Sequence, residues 1–189
     1  MNWIGKILLI GILAAAPASG WAFNHEPLGF RDLEFGESLT DILKTHHVQA
    51  DGIDRLSNSK KYLIVMPAKD MHFRDISIGT NAVLGTFWKG QLHTLQIVFP
   101  AATKEERDTL YDELLGVLAV RFGSYGDVRN DKGADEESVF WFGTKTNAEI
   151  KKVNEPGKGT APESYGVEIM FRDQLLHKQA EDDAASQDF

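Results

Sequence analysis

Cysteine is absent from all 189 residues. That absence excludes a thiol nucleophile, a disulfide, a thiolate zinc site and an iron–sulfur site. It also excludes a lipid anchor on an N-terminal cysteine. Positive charge is in deficit: 20 lysines and arginines stand against 28 aspartates and glutamates, for a formal net charge of −8. A surface of that sign repels nucleic acid and anionic lipid. It suits a basic partner. Long apolar runs are missing as well. The run from Ile7 to Ala16 falls well short of the ~20 residues a membrane-spanning helix needs.

Familiar catalytic spacings are missing too. There is no G-x-S-x-G elbow for a serine hydrolase. The six histidines show no H-x-x-x-H spacing. His46 and His47 are adjacent, and neighbouring helical side chains point about 100° apart, too far to chelate one ion easily. In Gly157-Lys158-Gly159-Thr160 the glycine follows the lysine, which is not the order of a phosphate loop. The acids between Asp127 and Glu137 lack the ligand alternation and the glycine of a calcium loop. The paired acids Glu105-Glu106 and Asp182-Asp183 are sequence neighbours, which is no evidence of a cleft. No metal, no cofactor and no catalytic residue is expected.

What is present begins with an export leader. Met1 and Lys6 give a positive start, Ile7 to Ala16 an apolar middle, and Gly20-Trp21-Ala22 small residues at the positions a signal peptidase reads. Residues 1–22 are expected to be removed after Ala22. Loss of Lys6 makes the mature chain one unit more negative. Small eukaryotic secreted domains usually carry disulfide staples. A cysteine-free exported chain of this size fits the periplasm of a Gram-negative bacterium better than the medium, which stays as the alternative.

Hydrophobic periodicity predicts an α+β fold: an antiparallel meander sheet, one long helix at about 103–122, and one or two shorter helices packed on the sheet. Leu28 to Phe35 reads as a strand. Ser38 and Asp41 open a helix with Leu39, Ile42, Leu43 and His46 on one face. Gln49 to Ser59 is polar and reads as a loop. Lys61 to Met66, Phe73 to Ile78, Val83 to Trp88 and Leu92 to Phe99 read as strands, with Lys89-Gly90 as a two-residue hairpin turn. Thr103 and Glu106 form a capping box, Leu110, Leu114, Val117, Leu118 and Phe122 a stripe, and Gly123 a C-terminal cap. Val128 to Glu137 reads as a polar loop, Val139 to Phe142 and Asn147 to Val153 as paired strands. Glu155 to Ser164 reads as a mobile loop, and Val167 to Phe171 as a last strand. A short helix from Asp173 to about Ala180 completes a single domain spanning 23–180. Residues 181–189 read as a disordered acidic tail.

Two features bear on binding. Phe30-Arg31-Asp32-Leu33-Glu34-Phe35-Gly36 and Phe73-Arg74-Asp75-Ile76-Ser77-Ile78-Gly79 share a pattern, and Phe171-Arg172-Asp173 repeats its first three residues. A duplicated binding element is one reading. Two strands that each end in a glycine turn, alike by chance, is the other and the favoured one. The second feature is aromatic. Trp88 lies at a hairpin end, and Phe140-Trp141-Phe142 lies in a strand whose neighbours face opposite sides. Trp141 is either an exposed contact residue or packed under a helix or loop. Trp88, Trp141 and Lys158 are the candidate binding residues.

Four short motifs carry a resemblance: Phe35-Gly36, Trp88-Lys89-Gly90-Gln91-Leu92, Arg121-Phe122-Gly123 and Phe140-Trp141. In their order the chain resembles small periplasmic α+β proteins of Gram-negative bacteria whose function is poorly defined. The resemblance implies the fold and carries over no catalytic residue. The functional expectation is an exported binding or inhibitory module acting through contacts with another periplasmic or exported protein, a basic one where charge guides the contact. A hydrolase or metal-dependent enzyme assembled only in three dimensions, and a carrier of a small apolar ligand, are the alternatives.

Overall fold

The computed structural model describes residues 26–54, 59–67, 71–73, 75–79, 82–131, 136–155 and 163–187. The leader at 1–22, Lys158 and the end of the chain past Gln187 lie outside them. In chain order the elements are β1 (Gly29–Phe30), β2 (Leu33–Glu34), α1 (Leu39–Thr45), β3 (His47–Asp54) and β4 (Ser59–Val65). Then come β5 (His72–Phe73), β6 (Ile76–Ser77), β7 (Ala82–Trp88), β8 (Gln91–Ala101) and α2 (Lys104–Phe122). The last are β9 (Asp127–Asp131), β10 (Glu136–Phe142), β11 (Thr146–Glu155), β12 (Ser164–Asp173) and α3 (Gln174–Gln187).

The fold is α+β. One antiparallel sheet runs in the order β3-β4-β7-β8-β12-β11-β10-β9. Each half repeats one plan, a helix followed by a four-stranded meander, and the halves join where β8 pairs with β12 from Phe99↔Val167 to Leu95↔Phe171. Among the described residues no helix is long and apolar enough to cross a membrane.

Local chemistry sets the anchors. At the β7–β8 turn Lys89 and Gly90 both take positive φ, 48° and 81°, as the two central residues of a type I′ turn require. Thr103 accepts the Glu106 N–H at 3.2 Å to start α2, and Gly123 ends it at φ 86°. Tyr111, Leu114, Leu118 and Phe122 of α2 are buried against one sheet face. That face presents Leu95, Ile97 and Phe99 from β8, Val167, Ile169 and Phe171 from β12, and Ile150 and Trp141 beyond them. Each such burial contributes about 1.5–3 kcal/mol. One charge joins this layer. Arg107 of α2 is fully buried and donates to Asn154 on β11 and to its neighbour Asp108. Lys152 bridges Asp108 and Glu137 at 3.4 and 3.3 Å. Burial raises the Asp108 carboxyl pKa, but Arg107 and Lys152 more than offset it and hold it below the usual range.

α3 lies on the other face. Trp88, next to the core residue Phe87, donates its indole N–H to Asp183 at 3.2 Å, and Lys89 reaches the same carboxylate at 3.3 Å. His177 stacks on His93 with ring centroids 5.4 Å apart.

Several elements differ from the sequence expectation. Gln49 to Ser59 contains most of β3, and Val128 to Glu137 contains β9 and the start of β10. Both β3 and β9 are edge strands. β3 is exposed along nearly its whole length, so it carries no apolar alternation. Residues 181–187, expected as a disordered tail, continue α3. Composition shows the acids without their partners: His177 and Glu181 lie 3.4 Å apart, Lys178 and Asp182 3.1 Å, and Asp183 holds the β7–β8 turn. Leu28 to Phe35 and Phe73 to Ile78, expected as single strands, are each a two-stranded hairpin.

Candidate functional site

Those two hairpins are built alike. Phe30 pairs with Leu33 and Phe73 with Ile76. The Phe35 N–H closes the first on the Leu28 carbonyl at 3.0 Å, and the Ile78 N–H closes the second on the Met71 carbonyl at 3.0 Å. Each closing bond spans the same offset from its phenylalanine. Each hairpin is followed by a glycine of positive φ, Gly36 at 83° and Gly79 at 74°. The shared pattern therefore encodes a shared local structure, where two unrelated strands were the favoured reading.

The hairpins also meet. The Phe30 and Phe73 rings stack at 6.0 Å with planes 10° apart, and Phe73 meets Phe99 edge-on at 6.3 Å. Arg31, in the β1–β2 turn, donates from its guanidinium to the His72 carbonyl of β5. Asp32 beside it turns to His46, 3.4 Å away. The chain entering β1 is fixed as well. Glu26 accepts the N–H groups of Lys145 and Thr146 and the Thr144 hydroxyl, and the Thr146 hydroxyl donates to the Pro27 carbonyl at 2.6 Å. Burial raises the Glu26 pKa, but these donors outweigh it and the net shift is downward.

Between the hairpins and the C-terminal half of α2 lies a cleft of about 630 Å³. Phe30, Phe73 and Phe171 line it, one phenylalanine from each Phe-Arg-Asp segment. Val117, Val120, Arg121 and Phe122 form the helical wall, and Pro27, Gly29, Arg31 and His72 complete the lining. Among the described residues the lining holds two arginines and one histidine, and no acid, hydroxyl or carboxamide side chain. Phe122 meets Phe171 edge-on at 6.0 Å, which seats α2 on the sheet beneath the cleft.

Trp88 and Trp141, named as candidates from the sequence, lie elsewhere. Trp141 is 2% exposed. It packs edge-on against Phe122 and Tyr125, and its indole N–H donates to the Gly123 carbonyl at 3.0 Å. Of its two possible placements it takes the packed one, because α2 ends over it, so it offers no surface to a partner. Trp88 is half-buried and holds α3, with the Lys89 ammonium 4.2 Å above its ring. The two tryptophans serve opposite faces of the sheet. Lys158 lies outside the described residues.

One pair has the look of catalytic machinery. His93 Nε2 and Ser59 Oγ are 3.1 Å apart. Both residues are buried, and the other ring nitrogen bonds the Thr94 hydroxyl at 3.0 Å, not a carboxylate. The pair ties β4 to β8. Among the described residues no group of three or more His, Asp or Glu side chains could hold a metal ion.

Gly29 is the tightest backbone position of the cleft wall. A Cβ there would lie 2.0 Å from the Leu33 carbonyl oxygen. Gly29→Ala is expected to open the β1–β2 hairpin at a cost of about 2 kcal/mol, as overpacking does, read as a lower midpoint in urea. An unchanged midpoint would mean the hairpin contributes nothing to the fold.

Compared with protein-family models, with curated proteins and with solved structures, the chain finds no match.

Proposed function

We propose that this chain is an exported, non-enzymatic binding module of the Gram-negative periplasm, and that the cleft between the twin hairpins and α2 is where it binds. The observation that carries this reading is the convergence of the three Phe-Arg-Asp phenylalanines on one concave site. A cleft of about 630 Å³ falls in the ~300–1,000 Å³ range of ligand pockets, which are mostly apolar with a few polar groups. The lining supplies contact surface and positive charge. Among the described residues it supplies no nucleophile, and no carboxylate to orient His72 as a base. Binding fits such a set better than catalysis. The leader sequence and the resemblance to small periplasmic α+β proteins support the compartment.

The occupant in this reading is a small amphiphile. Val117→Trp places a large ring in the cleft from the helix side. Wild-type protein purified from a bacterial periplasm is expected to carry a bound mass in native mass spectrometry, and the Val117→Trp protein to lose it while unfolding at the same temperature. A wild-type chain that carries no mass and takes up no added amphiphile would overturn the reading. A protein partner, the sequence expectation, is favoured by a different observation. Phe142 and Val98 are each 40% exposed, and Phe142 stacks on Phe140 at 6.2 Å beside the buried Trp141. Loss of a captured periplasmic protein on Phe142→Asp, with the Val117→Trp variant unaffected, would move the site to that face.

A further inference from the structure

We propose that the ligand of this cleft is a single-chain amphiphile with an acidic head, a carboxylate or phosphate held by Arg121 and Arg31 while the chain lies on the phenylalanines. The proposal rests on the cleft being the binding site, and it deepens that reading by giving the ligand a charge.

Charge complementarity selects the head group. Acids outnumber bases in the chain, 28 to 20, yet among the described residues the lining is cationic and holds no acid. Asp32, next to Arg31 in the chain, is turned to His46, 3.4 Å away. From Leu114 to Phe122 the helix carries Arg121 as its only charged side chain. Among the described residues no carboxylate lies within 4.0 Å of either guanidinium. Arg31 gives one donor to the His72 carbonyl and lies over its own neighbour Phe30, 5.5 Å from the centroid. A guanidinium has five donors, so others are left for a ligand.

Position separates head from tail. Phe30, Phe73, Phe122 and Phe171 are buried, whereas Arg31 and Arg121 are exposed. The apolar floor is thus inside and the charge at the rim. Val120, 68% exposed next to Arg121, extends apolar surface onto the lip. The net negative charge of the chain is no obstacle at contact distance. At physiological ionic strength charges beyond about 8 Å are largely screened, and the rim arginines are nearer than that to any bound head. Arg121 also complements the C-terminus of α2. Arg31, on the opposite wall, ties the hairpins with one donor and keeps others for the ligand.

The experiment is calorimetric titration of the mature chain at pH 7.5 with monomeric dodecanoate, dodecyl phosphate and dodecanol. Both anions are expected to bind at least about tenfold more tightly than the alcohol, the scale of one or two charge-assisted contacts. Arg121→Gln is expected to remove most of that preference and leave the alcohol affinity unchanged. Arg121→Lys, which keeps the charge, is expected to retain it. Equal binding of alcohol and acid would overturn the acidic head and leave the cleft reading standing. A folded chain that binds none of the three would overturn both. Loss of acid and alcohol together in Arg121→Gln would make the arginine structural and sink the proposal. A chain that floats with anionic phospholipid vesicles but ignores the monomeric anions would also overturn it, in favour of a membrane surface.

Discussion

Trp141→Ala is expected to lower the unfolding free energy by about 3–5 kcal/mol, the range for removing a large buried aromatic side chain. The indole is 2% exposed and fills the space between Phe122 at the end of α2 and Tyr125 just past it. Its removal leaves a cavity that the sheet below and the helix above cannot both close. It also strips the Gly123 carbonyl of its donor at the helix end, where the last carbonyls have no partner within the helix. Trp141→Phe keeps most of the volume and loses the donor, so it is expected to cost less than half as much. Trp88→Ala is the contrasting case. That ring is half-buried and bonded to one carboxylate of α3, and its loss is expected to cost about 1 kcal/mol, close to the value of one hydrogen bond. Urea denaturation at constant slope reads both. A Trp141→Ala chain as stable as Trp88→Ala would refute the account of Trp141 as the staple between α2 and the sheet.

The contrast bears on what a sequence makes visible. Tryptophan attracts a binding interpretation because it is large and often found at contacts. In a chain with no disulfide, the same size is needed inside, to lock layers together. Nothing local to Phe140-Trp141-Phe142 says which face meets a helix. The elements with their own chemistry were legible: Lys89-Gly90 demands a tight turn, and Thr103 with Glu106 and Gly123 marks both ends of α2. The edge strands were not. β3 and β9 belong to the sheet through backbone bonds to β4 and β10. Their side chains are largely outside the core, so no alternation betrays them.

The cleft was half legible. The likeness between residues 30–36 and 73–79 is visible in the sequence, and Phe171-Arg172-Asp173 with it. Alternation alone makes each segment a strand, because a two-residue arm on either side of Arg-Asp is shorter than any periodicity test can resolve. The missing information is long-range. The two hairpins gain meaning only when Phe30 stacks on Phe73 and Arg31 reaches the His72 carbonyl 41 residues away. Identity at four of seven positions was a weak statistical signal but a sound structural one, since the closing bonds and the glycines that follow recur at matching offsets.

Acid is expected to destabilise the chain through the stacked pair His93 and His177. His93 is 0% exposed, and burial, reinforced by the like charge of His177, pushes its pKa down to about 4. Asp54 on β3 pulls the other way and Arg172 on β12 adds to the depression. An unfolded histidine titrates near 6.5. Between those values the unfolded chain holds a proton that the folded chain refuses. The stabilisation is therefore complete above pH 6.5 and is lost as pH falls toward 4, by about 3 kcal/mol for this group. His177 acts in the same direction: burial lowers its pKa as well, with Glu181 opposing. Other groups shift in acid too, so the readout is a difference. His93→Gln stays neutral throughout, and its stability is expected to vary less between pH 7 and pH 4.5 than that of the wild type. Equal slopes would remove His93 as the cause. The location of the effect is also fixed. The stacked rings join β8 to α3, so charging them sets two cations face to face at that joint. Amide exchange in α3 is expected to rise first as pH falls, ahead of α2 and the central strands.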